Sequence, residues 1–336
     1  MRYVSFDKMN DILHIIYNTN GSLSPSQLDQ KVRESAIFRD DYGRPKVGHS
    51  TLYHYRKVLE GLSLVNLERG RYFTSNDEGT SEFLKVTASE GYPSERAKEI
   101  LRIKILSNRE CRENFFDLFM RVKDYSLDDL RMKGSFAKVQ ILQNQPIISK
   151  KVTTTSDKLN KNITKRVNSV EIIPFSGVSK IIDNFDSLQA IFWGVRLWAL
   201  ELDIINEVYS SQYKSRVMYA TDPKVSNENL FHYLLEEGSS SDNSNWIEFY
   251  MPAYVEKVCL KTRVPIKVLH NFIKSMIHKN EAAISFVAVT MNVMKSDSPY
   301  EGMDETLLYL YPYINEIGHI SHIRIRKKNI GGIKFE

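Results

Sequence analysis

Apolar residues recur at three- and four-residue spacing at the start of the chain. Phe6, Met9, Ile12, Leu13, Ile16 and Tyr17 share one side of a helix expected over residues 7–18. Gly21 reads as a turn. Ser24-Pro25-Ser26-Gln27 then gives an N-cap with proline at the first helical position, opening a second helix through Leu28 and Val32 to about Ser35. A polar loop, 38–48, carries Arg39, Arg44 and Lys46 beside Gly43 and Pro45. A third helix follows, with Ser50 or Thr51 as its cap, Leu52, Tyr55, Val58 and Leu59 inward, and a stop near Gly61. Residues 62–67 and 71–74 are strand segments. Glu68-Arg69-Gly70 joins them as a hairpin in which glycine accepts positive φ.

Further along, Ala97, Ile100, Leu101, Ile105, Phe115, Phe116 and Phe119 extend a helical pattern over 88–120, with a start signal at Pro93-Ser94-Glu95 and an apolar face suited to core packing. The run KKVTTTSDKLNKNITKR has few large apolar residues and reads as an exposed linker. From Val170 onward strands are expected at 170–175, 216–220, 283–291 and 320–325. Helices are expected at 187–209, 227–236, 254–262, 266–279 and 304–317. The fold class is therefore mixed, α/β or α+β, divided as a module at 1–85, a helical connector at 86–148, a basic linker at 149–168 and a C-terminal α/β domain at 169–336.

Composition adds limits. A chain of 336 residues with 42% hydrophobic and 26% charged residues can bury a core in each of two domains. The N-terminal sequence MRYVSFDKMND lacks the basic and apolar regions of a secretory leader, and the apolar runs are short or interrupted by Arg196, Glu201 and Asp203. A cytoplasmic protein without a membrane partner is expected. Cys111 and Cys259 are too few for a disulfide scaffold or a four-thiolate zinc site, and they read as small buried hydrophobes.

The net charge of +5 matters less than its distribution. Residues 131–166 hold nine Lys or Arg (Arg131, Lys133, Lys138, Lys150, Lys151, Lys158, Lys161, Lys165, Arg166) against one acid, Asp157. Such an excess either attracts a polyanion or marks a solvated linker.

The third helix exposes Ser50, Thr51, Tyr53, His54, Arg56 and Lys57, groups able to meet base edges and phosphates, and Arg69 and Arg71 flank the hairpin tip. Helix, helix, Ser-Thr-led helix and tight hairpin in this order resemble the winged helix-turn-helix superfamily over residues 1–85. That resemblance implies double-stranded DNA as partner, contacted by Ser50, Thr51, Tyr53, His54, Arg56, Lys57, Arg69 and Arg71, with Arg44 and Lys46 from the loop. Residues 253–292 again give helix, turn, helix and strand, with Pro265 opening the second helix and Lys261, Arg263, Lys267, Asn271, Lys274 and Lys279 outward, so a second winged-helix-like unit is an expectation there.

Catalytic motifs are sparse. Asp222-Pro223-Lys224, with Glu171, is the nearest approach to a metal-dependent nuclease, although proline fits poorly in a central strand. His49 and His54 lie five apart, one more than two helical metal ligands require, and no phosphate-cradling glycine loop occurs. No catalytic residue, metal ligand or cofactor is assigned. The leading expectation is a dimerising or effector-sensing transcriptional regulator. Its alternatives are a non-catalytic adaptor subunit of a DNA-processing, chromosome-maintenance or anti-phage complex, and a nuclease.

Overall fold

The computed structural model describes residues 2–19, 21–39, 47–120, 137–143, 147–150, 161–164, 167–174, 180–183, 185–212, 215–221, 225–240, 244–288, 310–315 and 318–335. The chain is mixed α+β, with small antiparallel sheets, and divides into two compact units. Among the described residues no helix is long and apolar enough to cross a membrane.

The first unit opens with α1 (Phe6–Asn18), α2 (Pro25–Glu34) and α3 (His49–Gly61), followed by strands β1 (Val65–Glu68) and β2 (Arg71–Thr74). In α1, Phe6, Met9, Ile12, Leu13 and Ile16 are buried as their spacing predicts, whereas Tyr17 is turned to solvent. A capping box starts α2: the Gln27 amide donates to Ser24 Oγ, and the Ser24 amide donates to Gln27 Oε1. Strands β1 and β2 pair from Val65↔Thr74 to Glu68↔Arg71, so the turn is Arg69-Gly70. Both turn residues have positive φ, 47° and 75°, as a two-residue hairpin of type I′ requires.

Three helices continue this unit: α4 (Glu78–Glu90), α5 (Glu95–Ser107) and α6 (Arg109–Cys111), the last running on as a π-helix over Arg112–Met120. The long helix expected from residue 88 is broken at Gly91, whose φ of 78° ends α4, and Ser94 caps the next helix as its sequence signal indicates. Beyond this lie β3 (Ala137–Gln143), β4 (Ile147–Lys150), β5 (Lys161–Thr164), β6 (Val167–Pro174) and β7 (Lys180–Asp183), described here by backbone alone. β4 pairs β5 and β6 pairs β7. Strand β4 thus runs from the expected helical connector into the expected linker, and β5 and the start of β6 also fall in that linker, where Ile163, Thr164 and Val167 are β-branched. Helix α7 (Phe185–Glu201) closes the unit: Trp198 stacks on Phe6 at 5.8 Å and its indole N–H donates to the Val4 carbonyl.

The second unit begins with β8 (Ile205–Ser210) and β9 (Ser215–Ala220), an antiparallel pair joined by the start of β3. The helix expected over 187–209 therefore ends early. Asp203 takes φ 54°, which breaks the helix and leaves Ile205 and Val208 to a strand. There follow α8 (Asn227–Glu236), β10 (Trp246–Tyr250), α9 (Met251–Thr262), α10 (Ile266–Lys279), β11 (Ile284–Ala288), β12 (Tyr313–Ile314) and β13 (Gly318–Arg326). β13 lies between β10 and β11 and also pairs β12. The described part of the helix expected at 304–317 is not an α-helix, because Pro312 and the alternation around Tyr313 suit an extended segment. Leu230, Leu234, Phe249, Tyr254, Val258, Leu269, Ile273 and Ile323 form the core of this unit. Both cysteines are buried and free.

Candidate nucleic-acid interface

The surface of α3 follows from its apolar spacing. With Leu52, Tyr55, Val58 and Leu59 buried, the residues between them are left outward or at the edge. Its N-cap is Gly48, with no side-chain cap, so the capping role expected of Ser50 or Thr51 is absent. A start two or three residues earlier than expected moves both hydroxyls into the first turn, where they are exposed. Tyr53 is 48% exposed, and Lys57 stands beside it with its ammonium 5.9 Å from the ring.

The cations of this region divide into two groups. Lys57 is partly neutralised: Nζ donates to Glu60 at 2.7 Å, and that bond holds its pKa above the ordinary lysine value. Glu60 also accepts from the Tyr72 hydroxyl at 2.8 Å. Arg56 is turned inward, with a side chain 15% exposed, where it donates to the Pro25 carbonyl and pairs with the buried carboxylate of Asp29. It joins α3 to α2, so the structure assigns it a role other than the surface contact expected. His54 lies 3.4 Å from Arg2, and partial burial followed by that positive charge lowers its pKa. By contrast Arg69 in the hairpin turn and Arg71 just after it are exposed. Arg44 and Lys46 lie outside the described residues.

No family model, curated protein or solved structure matches this chain. The geometry of the chain alone must carry the functional reading.

Sequence reasoning passed over an open cleft of about 740 Å³ between α2 and α3, lined by Arg33, Arg39, His49, Arg56, Asp29 and Glu34 among others. Arg39 donates to the carbonyls of Glu34 and Ser35 at the end of α2. Arg33 Nε is buried with no hydrogen-bond partner among the described residues. The spacing held a signal: Arg33 follows Asp29 by one helical turn, which places both on one face of α2. The missed carboxylate is Glu60, one turn beyond Lys57.

Of the nuclease residues, Asp222, Pro223 and Lys224 lie outside the described residues, and Glu171 belongs to β6, where only backbone is described. Among the described residues no group of three or more His, Cys, Asp and Glu side chains is arranged to hold a metal ion.

Proposed function

We propose that the chain binds double-stranded DNA through α3 and the β1–β2 wing, as a sequence-directed regulator would. The observation that carries this reading is the division of the cations: Arg56 is withdrawn into the fold while Arg69 and Arg71 stay exposed at a type I′ tip beside a helix presenting Ser50, Thr51 and Tyr53. The helix offers hydroxyl and aromatic groups of a size and polarity suited to a major groove, and the wing offers guanidinium groups for phosphates. Arg56 then acts indirectly by fixing the angle of α3 on α2.

A second reading, a non-catalytic adaptor within a DNA-processing assembly, draws support from exposed apolar surface on the same module: Leu67 is 46% and Tyr53 48% exposed. Charge reversal separates the two. In a gel-shift titration with a mixed-sequence duplex, Arg69→Glu with Arg71→Glu is expected to abolish the wild-type shift. Unchanged retardation would defeat the DNA reading of the wing and favour the adaptor.

A further inference from the structure

The order of elements in the first module recurs in the second unit. In the first, α1, α2 and α3 precede β1 and β2, and the chain between α1 and α2 reaches β2: the Tyr72 amide donates to the Leu23 carbonyl at 2.9 Å. Strand β2 therefore lies between a segment preceding α2 and the strand following α3. In the second unit α8, β10, α9, α10, β11 and β13 come in the same order, and β13 lies between β10, which precedes α9, and β11, which follows α10. Helices α8, α9 and α10 pack on one another. Only three residues, Arg263-Val264-Pro265, join α9 to α10, with Arg263 left-handed at φ 60° and Val264 buried. This is a helix-turn-helix connection, and α10 occupies the position that α3 holds in the first module.

The outward side of α10 has the chemistry that position calls for. Ile266, Leu269, Ile273, Met276 and Ile277 are buried. Opposite them Lys267, Asn271, Lys274 and His278 are exposed, at spacings of four, three and four residues that form one stripe. No Asp or Glu occurs in α10, which carries Lys267, Lys274 and Lys279. His278 pairs with Glu281 at 3.4 Å, while the side chains of Asn271 and Lys274 make no hydrogen bond or ion pair among the described residues. The Asn271 amide can meet adenine in both its donor and acceptor positions, and Lys274 can meet guanine or phosphate.

We infer that α10 is a second duplex-reading helix, so that one chain presents two DNA-contacting modules. The occupant of this face is duplex DNA on grounds of charge: the helix carries three lysines and no acidic residue of its own, and Glu281, the carboxylate paired with His278, lies beyond its C-terminal end, so the face is complementary to phosphate. The inference rests on the DNA reading of the first module and extends it to a separate site.

The test uses the full chain and a duplex of roughly 40 bp, long enough for two major-groove sites a helical turn or more apart. The duplex is selected by the wild-type chain from a random-sequence library and titrated by fluorescence anisotropy at several salt concentrations. Asn271→Ala with Lys274→Ala is expected to lower affinity about tenfold or more and to reduce the slope of log affinity against log salt by about 1. It should also relax base preference in one part of the selected sequence, while Arg69→Ala with Arg71→Ala affects binding with that preference retained. All four residues are exposed, so thermal melting of both variants should match wild type. If the chain retains duplex and only the wing variant weakens it, the α10 inference is overturned and the first module stands. If the wild-type chain retains no duplex, both fall.

Discussion

Arg56 of α3 and Asp29 of α2 form an ion pair in which both side chains are largely buried, and the same guanidinium donates to the Pro25 carbonyl at the start of α2. The pair ties the two helices together, and His49 of α3 also approaches the Asp29 carboxylate at 3.6 Å. Removing one partner leaves the other charged and buried, which costs about 3–5 kcal/mol. Arg56→Ala is therefore expected to lower the urea midpoint sharply, whereas Lys57→Ala, on an exposed pair, should shift it by less than about 1 kcal/mol. Equal and small effects from the two variants would show that Arg56 is a surface cation.

Glu60 offers a test in the opposite direction. It pairs with Lys57 at 2.7 Å on the face proposed to meet DNA. Glu60→Gln keeps an acceptor for Tyr72, releases Lys57 and removes a charge of the same sign as phosphate. Duplex affinity is expected to rise by roughly threefold at low salt, with a steeper salt dependence. A weaker or unaltered complex by anisotropy would place the duplex elsewhere.

Gly21 holds φ at 73°, and a Cβ there would lie 2.0 Å from the Phe73 ring on β2. Gly21→Ala combines a left-handed backbone penalty of about 1–2 kcal/mol with displacement of that ring. Denaturant unfolding should show a loss at least that large. Phe73→Ala in the same chain should recover the steric part and leave the backbone part.

His270 makes the second unit sensitive to acid. Burial, reinforced by the neighbouring imidazole of His319, lowers its pKa from 6.5 to about 4, and its Nε2 has no hydrogen-bond partner among the described residues. The folded form binds this proton more weakly than the unfolded chain does. The neutral ring therefore contributes stability that is fully present above pH 6.5, declines as pH falls, and is lost below about pH 4. The shift corresponds to at most about 3 kcal/mol. Urea midpoints at pH 7, 5.5 and 4 should fall for the wild type and fall less for His270→Gln; parallel curves would exclude His270 as the cause.

Much of the first module was legible in the sequence because local signals agreed with one another. The apolar spacing of α1 and α3, the Ser24-Pro25 start and the Arg69-Gly70 turn each specify one local conformation. In the second unit Pro265 and the spacing from Ile266 to Ile277 gave α10 its observed bounds. What escaped depended on distant partners or on single backbone angles. Asp203 at φ 54° divides α7 from β8 with no glycine to mark the place, so Ile205 and Val208 read as a continuing helix. Strand β10 is only five residues long and follows a polar run, and its pairing with β13 comes from residues far along the chain. The Arg56–Asp29 pair joins residues 27 positions apart, and without the fold Arg56 resembles any surface cation.

Hydrogen–deuterium exchange of the full chain, with and without a saturating duplex, tests the central claim most directly. The account predicts slowed exchange in peptides covering α3 and the β1–β2 wing, residues 49–74. No change there, with protection confined to other segments or absent altogether, would contradict it.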